Sequence, residues 1–404
     1  MSGKVKAIIA IVVVAIIGAL LIALPMFQSN QQEPVESVPV EKKAETLDVK
    51  DIEFKSVIKD ESVLRDGATK GVSLSMSADE FEAAGIELGD SLDIIFSNGK
   101  TLEDIPYFNG LYSRWKQPLV LAWPGATHPR VCSNYGPAMW DEMGLESGAT
   151  ITVGIHEKGK YKKIQNTLFQ VYSDERDHFE TDAVFANYRE VKGGSLKEKL
   201  IFRGASSISD AHSRSSYVNA FMARDGIKYD LDLSDSIEEV AKHRTHALSR
   251  GANISKFESL AASGNVGYIN LDQGYRTPEY ATGLAHGLYE MVQHEGPYYI
   301  HCIEGKDRTG FTCMLLEALA GAGRDEMIRD YMTTYTNYFG IVVSNPNQYG
   351  MVVMANVEPM LALLADGEPT EDADYIAGAK KYLEYGGLSE EQIQKIVDVI
   401  SIQS

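Results

Sequence analysis

The chain opens on an apolar run: after Lys4 and Lys6, residues Ala7 to Phe27 carry no charge. As a helix that stretch reaches about 30 Å, the thickness of a bilayer's hydrocarbon. It is expected to be an uncleaved membrane anchor (1–27), with a cleaved signal peptide as the alternative. The lysines ahead of it and the polar, acidic flank behind it put the N-terminus inside and the bulk of the chain outside the membrane. Residues 28–47 have no apolar period and read as a solvated tether.

From 48 to 182 the apolar positions come in short alternating runs broken by turns. Leu92 to Phe96 precedes Asn98-Gly99, Leu119 to Trp123 precedes Pro124-Gly125, and Ile151 to Ile155 follows the same rule. These predict a small β-rich domain. It carries an internal echo: Gly85 to Ile94 and Gly144 to Val153 both lead from a glycine through a second glycine into an alternating strand, so two similar β units should pack together. Tyr107, Phe108, Tyr112, Trp115 and Trp123 are expected mostly as core, with a ligand groove as the rival use.

From 183 to 404 strand and helix signals alternate, the pattern of an α/β fold with a largely parallel central sheet flanked by helices. An amphipathic helix is expected over Thr282 to His294, a short buried strand over Tyr298 to His301, and an apolar helix from Thr309 to Ala320. Near the C-terminus, Ser389 and Gln392 make a capping box, with Ile393, Ile396, Val397 and Ile400 on one face, expected to pack on the core.

Composition narrows the partners. With 57 acidic against 38 basic residues and a formal net charge of −19, the chain is not built to coat nucleic acid. Any phosphate must be captured locally. Three cysteines exclude a disulfide framework. Cys132 and Cys313 lack metal-ligand spacing and read as structural thiols, which leaves Cys302.

Cys302 to Arg308 forms the turn between the expected strand and the apolar helix. Successive N–H groups of such a loop and the first turn of a helix converge where a phosphate can sit. The helix terminus and Arg308 favour a thiolate nucleophile at Cys302, and the Arg308 guanidinium can clamp two phosphate oxygens. Ile303, Glu304, Gly305, Lys306, Asp307 and Thr309 complete the binding loop. Gly305 allows close backbone approach, Thr309 can donate to the sulfur, and His301 orients the loop from beneath. The chemistry requires no metal or other cofactor.

Through His301-Cys302, Arg308-Thr309-Gly310 and the intervening Gly-Lys-Asp, the sequence resembles the protein tyrosine phosphatase superfamily, in particular its bacterial members. The resemblance extends to Leu200–Arg203 and Asp330-Tyr331. It implies hydrolysis of phosphotyrosine, with phosphoserine and phosphothreonine also in scope, or alternatively of inositol phosphates or phosphoinositides. A non-catalytic phosphate-binding module is the third reading. The segment Asp232-Leu233-Ser234 departs from the family's usual Asp-Leu-Arg. Lys306 adds positive charge suited to a substrate with more than one phosphate, and Glu304 subtracts some of it; in the alternative reading both acidic side chains of the loop point away into salt bridges.

The leaving oxygen needs a proton. Asp272, on the segment Ile269 to Arg276 upstream of Cys302, is the expected general acid, with Asp232 and Asp307 as rivals; Gln273 can position the hydrolytic water. His243 and His246 have helical ligand spacing, but no acidic or cysteine partner completes a metal site. The expected partners are thus a phosphorylated protein or inositol phosphate, and a membrane through the first helix.

Overall fold

The computed structural model describes residues 56–67 and 69–402. The expected anchor, the tether and the first residues of the β-rich segment lie outside the described residues. Among the described residues no helix is long and apolar enough to cross a membrane. Residues Asp48–Ser404 form one compact unit.

The alternating runs close into a seven-stranded barrel. In chain order its strands are β1 (Ser56–Arg65), β2 (Val72–Leu74), β3 (Ser91–Phe96), β4 (Thr101–Phe108), β5 (Pro118–Leu121), β6 (Arg130–Ser133) and β7 (Thr150–Glu157), and around the barrel they run β1-β2-β6-β5-β4-β3-β7. Inward residues such as Ile94, Phe96, Tyr107, Val131 and Val153 form its core, and Phe81 meets Tyr107 edge-on at 5.1 Å. The two echoed units lie side by side. β3 and β7 pair antiparallel with Ile94 opposite Val153, the corresponding positions of the echo. Of the five aromatic residues expected mostly as core, Tyr107 and Phe108 are buried, Tyr112 and Trp115 are half-buried, and Trp123 is exposed.

The second sheet has the order β11-β10-β12-β9-β8, from β8 (Arg189–Glu190), β9 (Ile201–Gly204), β10 (Tyr229–Asp232), β11 (Val266–Tyr268) and β12 (Tyr298–His301). All its pairs are parallel except that of β8. β12 is central and buried throughout, as suits its run Tyr298 to Ile300, and it ends on the buried His301. In register, Asp232, His301 and Gly204 stand abreast at the C-terminal ends of β10, β12 and β9. That edge is where open α/β sheets place ligands.

Six helices bear on the site and its surroundings: α1 (Ile237–Ser249), α2 (Pro278–Met291), α3 (Asp307–Leu319), α4 (Arg324–Phe339), α5 (Tyr375–Tyr385) and α6 (Glu390–Ile400). α2 starts ahead of the expected Thr282 because Thr277 caps Tyr280 N–H and Pro278 occupies the first turn. α3 begins at Asp307 rather than Thr309 and is buried from Thr309 to Leu319, packed by α4 and α5. The Ser389 capping box forms at α6, whose Ile393, Ile396 and Ile400 are buried in the main core. On α1, His243 lies 3.7 Å from Asp235, an acidic neighbour the sequence spacing did not reveal; no metal-holding cluster occurs among the described residues.

Candidate active site

His301 ends β12, and the chain then turns sharply over the sheet edge before entering α3. The tightness of that turn rests on Gly305. Its φ is +67°, and a Cβ there would stand 2.0 Å from the Gly204 carbonyl oxygen, so no other residue fits without moving β9.

The loop's carbonyls are all taken from outside it. His301 Nδ1 contacts the Cys302 oxygen at 3.2 Å, Ser206 N–H donates to Ile303 at 3.0 Å, and the Tyr338 hydroxyl donates to Glu304 at 2.7 Å. Gly305 accepts from Arg203 Nη2 at 2.9 Å and Asn187 Nδ2 at 3.2 Å, and Lys306 accepts from Gly310 N–H at 2.8 Å. By contrast, among the described residues the N–H groups of 303–309 donate to no protein acceptor. A loop with its oxygens turned out and its amides unspent, at the start of a helix, is a cradle for an anion.

Cys302 and Arg308 stand at its two ends. Cys302 is 4% exposed. Burial disfavours the Arg308 charge, but the Cys302 sulfur, then the Tyr275 and Tyr280 hydroxyls, outweigh it and raise the guanidinium's pKa. Arg308 Nη1 donates to the Leu271 carbonyl at 2.8 Å, which fastens the segment bearing Asp272 beside the loop. Arg308 Nε is buried and unpaired. The Thr309 hydroxyl is also buried without a partner, the sulfur included. The expected Thr309-to-sulfur bond is not made.

Beneath the loop lies a buried ionic cluster. His301 Nε2 is 3.2 Å from Asp230 Oδ1 and 3.1 Å from the Ser207 hydroxyl, which donates to Asp230 at 2.7 Å. Burial opposes an imidazolium, but Asp230 and then Asp232 hold the His301 pKa up at about 10. Asp232 is also fully buried; burial, tempered by His301, lifts it to about 7. Its Oδ1 accepts from Ser234 N–H, the Ser234 hydroxyl and Asp235 N–H. Ser234, where the resembled family has arginine, therefore fixes this turn. Asp232 Oδ1 also stands 4.0 Å from His301 Nδ1.

Of the other two carboxylates, Asp307 is in the loop itself and Asp272 is on the segment tied to Arg308. Asp272 is exposed and spends one oxygen on Gly274 N–H at 2.6 Å, closing its own turn. Asp307 accepts from the Tyr331 hydroxyl at 3.1 Å and lies 3.5 Å from Lys306 Nζ. Lys306 is also 3.7 Å from Glu304, so its charge is balanced inside the loop. Burial works against Glu304, but Lys306 and the Tyr172 hydroxyl, donating at 2.7 Å, hold its carboxyl below the ordinary value. Cys132 and Cys313 are buried, which pushes each thiol up to about 12.

A brace of charged groups secures the loop from the side. Arg203, fully buried on β9, pairs with Asp330 of α4, and Asp330 also takes Arg189 Nε at 2.9 Å. Sequence reasoning placed Arg203 and Asp330 only within a resemblance. It missed Arg189, Asn187, Tyr275 and Tyr280 altogether, since nothing local marks them.

The chain matches the family model described as "Tyrosine phosphatase family" over residues 185–400, more than half its length. It belongs to that family. A curated relative, the triple specificity protein phosphatase PtpB of Mycobacterium tuberculosis (strain ATCC 25618 / H37Rv), is 24% identical over 169 residues, which are 39% of this chain and 61% of that protein. The chain thus spans about three-fifths of that relative's length. Among solved structures, the core catalytic domain of the PP-IP phosphatase SIW14 from S. cerevisiae, in complex with citrate, aligns with 45% of this chain and 91% of its own, at 15% identity and a TM-score of 0.26. An overlap that small carries no argument.

Proposed function

We propose that this member of the tyrosine phosphatase family hydrolyses phosphomonoesters through a phosphocysteine intermediate. Its substrates in this reading are phosphotyrosine proteins, with phosphoserine and phosphothreonine in scope. The observation that carries the reading is the loop 302–308, with a thiol and a guanidinium at its ends, its oxygens turned out and its amides free.

In the first step the Cys302 thiolate attacks phosphorus, and the phosphorus–sulfur bond forms as the bond to the tyrosine oxygen breaks. The loop amides and Arg308 hold the non-bridging oxygens and the charge they carry. Asp272 gives the leaving oxygen its proton. In the second step water, positioned by Gln273, loses a proton to the Asp272 carboxylate as it attacks phosphorus. The phosphorus–sulfur bond breaks and the sulfur leaves as the thiolate, with the Arg308 guanidinium nearby to balance it. Asp272 is preferred over Asp307 because Asp307 is already engaged by Tyr331 and Lys306, whereas Asp272 is exposed on a segment tied to Arg308. Location belongs to the proposal too: the uncharged run from Ala7 to Phe27 supports an anchored enzyme facing outward.

The test is steady-state hydrolysis by the full chain, with a chelator present, of a phosphotyrosine peptide, a phosphoserine peptide and an inositol polyphosphate. Cys302→Ser should lower turnover at least about a thousandfold. Asp272→Asn should slow the peptide by about a hundredfold, and much less a substrate whose leaving group needs no proton. Undiminished turnover by Cys302→Ser would sink the reading. A larger loss in Asp307→Asn would move the acid there, and preference for the inositol polyphosphate would replace the substrate class.

A further inference from the structure

The barrel reaches the catalytic segment through two of its turns. Residues 111–117 follow β4 and residues 134–138 follow β6, and the two are tied together: Lys116 N–H donates to the Asn134 carbonyl at 2.7 Å, and Asn134 N–H to Gln117 at 3.1 Å. The fully buried Asn134 side chain then donates to Ser113 at 2.6 Å and to the Ala355 carbonyl at 3.0 Å, which pins both turns to the helical layer beside the sheet.

What these turns present is aromatic and cationic. Tyr135 packs 5.9 Å from the Tyr275 ring, and Tyr275 packs 5.3 Å from Phe311 on α3. The Arg276 guanidinium lies 5.9 Å from both Tyr135 and Trp115, and Lys116 Nζ stands 3.7 Å over Trp115. Lys116 and Tyr135 both hold positive φ, +62° and +50°, an uncommon conformation for side chains of their size.

In a chain with 57 acidic residues, Arg276 and Lys116 share one indole, and among the described residues neither forms an ion pair with a carboxylate. The loop's own cation, Lys306, is already balanced by Glu304 and Asp307. The pair is also close to the chemistry. Leu271 is bonded to Arg308, and the chain from Leu271 to Arg276 can reach no further than about 17 Å.

We propose that Arg276 and Lys116, held around Trp115, form a second anion site that takes a second anionic group of a phosphotyrosine peptide, so that the barrel takes part in choosing the substrate. Guanidinium and ammonium suit a phosphate or a carboxylate, and cation–π contacts hold both in place without neutralising them. This inference rests on the phosphatase reading.

Three peptides of one sequence test it with the full chain: one with phosphotyrosine alone, one with a phosphoserine a few residues away, and one with glutamate at that place. The wild-type enzyme should favour a peptide carrying the second anion by about tenfold in kcat/KM, through KM. Arg276→Gln should remove most of that ratio, as should Lys116→Gln on the exposed barrel turn, while Arg276→Lys should keep part of it. A gain with either second group supports the site and names the group. Equal kcat/KM for all three peptides, or a ratio unmoved in both glutamine variants, overturns it. Failure of the wild type to hydrolyse even the single-phosphate peptide would remove the phosphatase reading and this inference with it, which a flat ratio among active variants would not.

Discussion

Glu317 is the least comfortable residue beside the site. It lies in the middle of α3, fully buried, with neither carboxylate oxygen hydrogen-bonded. Burial pushes its carboxyl well above the ordinary value, and the Asp330 charge adds to that, against Arg203 and Arg189. The folded chain therefore keeps Glu317 protonated after the unfolded chain has begun to ionise it near 4.5, and stability declines as pH rises through that window. Glu317→Gln, neutral at every pH, should gain about 1–3 kcal/mol at pH 8 and little at pH 4, measured by denaturant unfolding. An equal gain at both pH values would mean that proton binding is not the cause.

At the scale of elements, the loop is only as fixed as its brace. Arg203 on β9, Arg189 on β8 and Asp330 on α4 meet in one buried cluster, and Arg203 passes its order to Gly305. Asp330→Asn leaves the fully buried Arg203 and the half-buried Arg189 short of a counter-charge. It should cost about 3–5 kcal/mol of stability, and it should also lower kcat by about tenfold as the cradle loosens. Stability lost with kcat intact would mean that the brace supports the fold but not the loop.

The same elements explain how much was legible in the sequence. Tyr298–His301 and Cys302–Arg308 were legible because each type is required locally: apolar residues for a central strand, glycine for a positive φ, a cysteine and an arginine for the chemistry. The start of α2 was legible too, in Thr277-Pro278, had the cap outweighed the apolar period. Asp232 ends β10 and Asp272 follows β11, and only tertiary packing puts one beside His301 and the other on a segment tied to Arg308. Trp115 was legible as an aromatic but not as a neighbour of Arg276, since a distant barrel brings it there.

For the whole molecule, the buried charges set a pH dependence of stability. Asp330 and Glu304 are held below their ordinary values, so their contribution is present above about pH 4–5 and is lost on acidification. His301 works in the other direction: its contribution is complete below its ordinary 6.5 and disappears as pH rises through about 10. Asp232, raised to about 7, and Glu317 subtract stability on the same upward path. The melting temperature should therefore peak at about pH 4–5 and fall toward pH 10. His301→Asn should flatten the alkaline limb, and a wild-type curve level from pH 6 to 10 would contradict the charged His301 assigned to the cluster.

The outward-turned carbonyls of 302–306 have a kinetic consequence. Because each already has a partner, an arriving oxyanion has no internal bond of the loop to break, and water is all it must displace. The receptor is preorganised, so little ordering cost is deferred to the moment of binding. Loop variants that retain the fold should then capture a tungstate ion at similar rates and differ in how long they keep it.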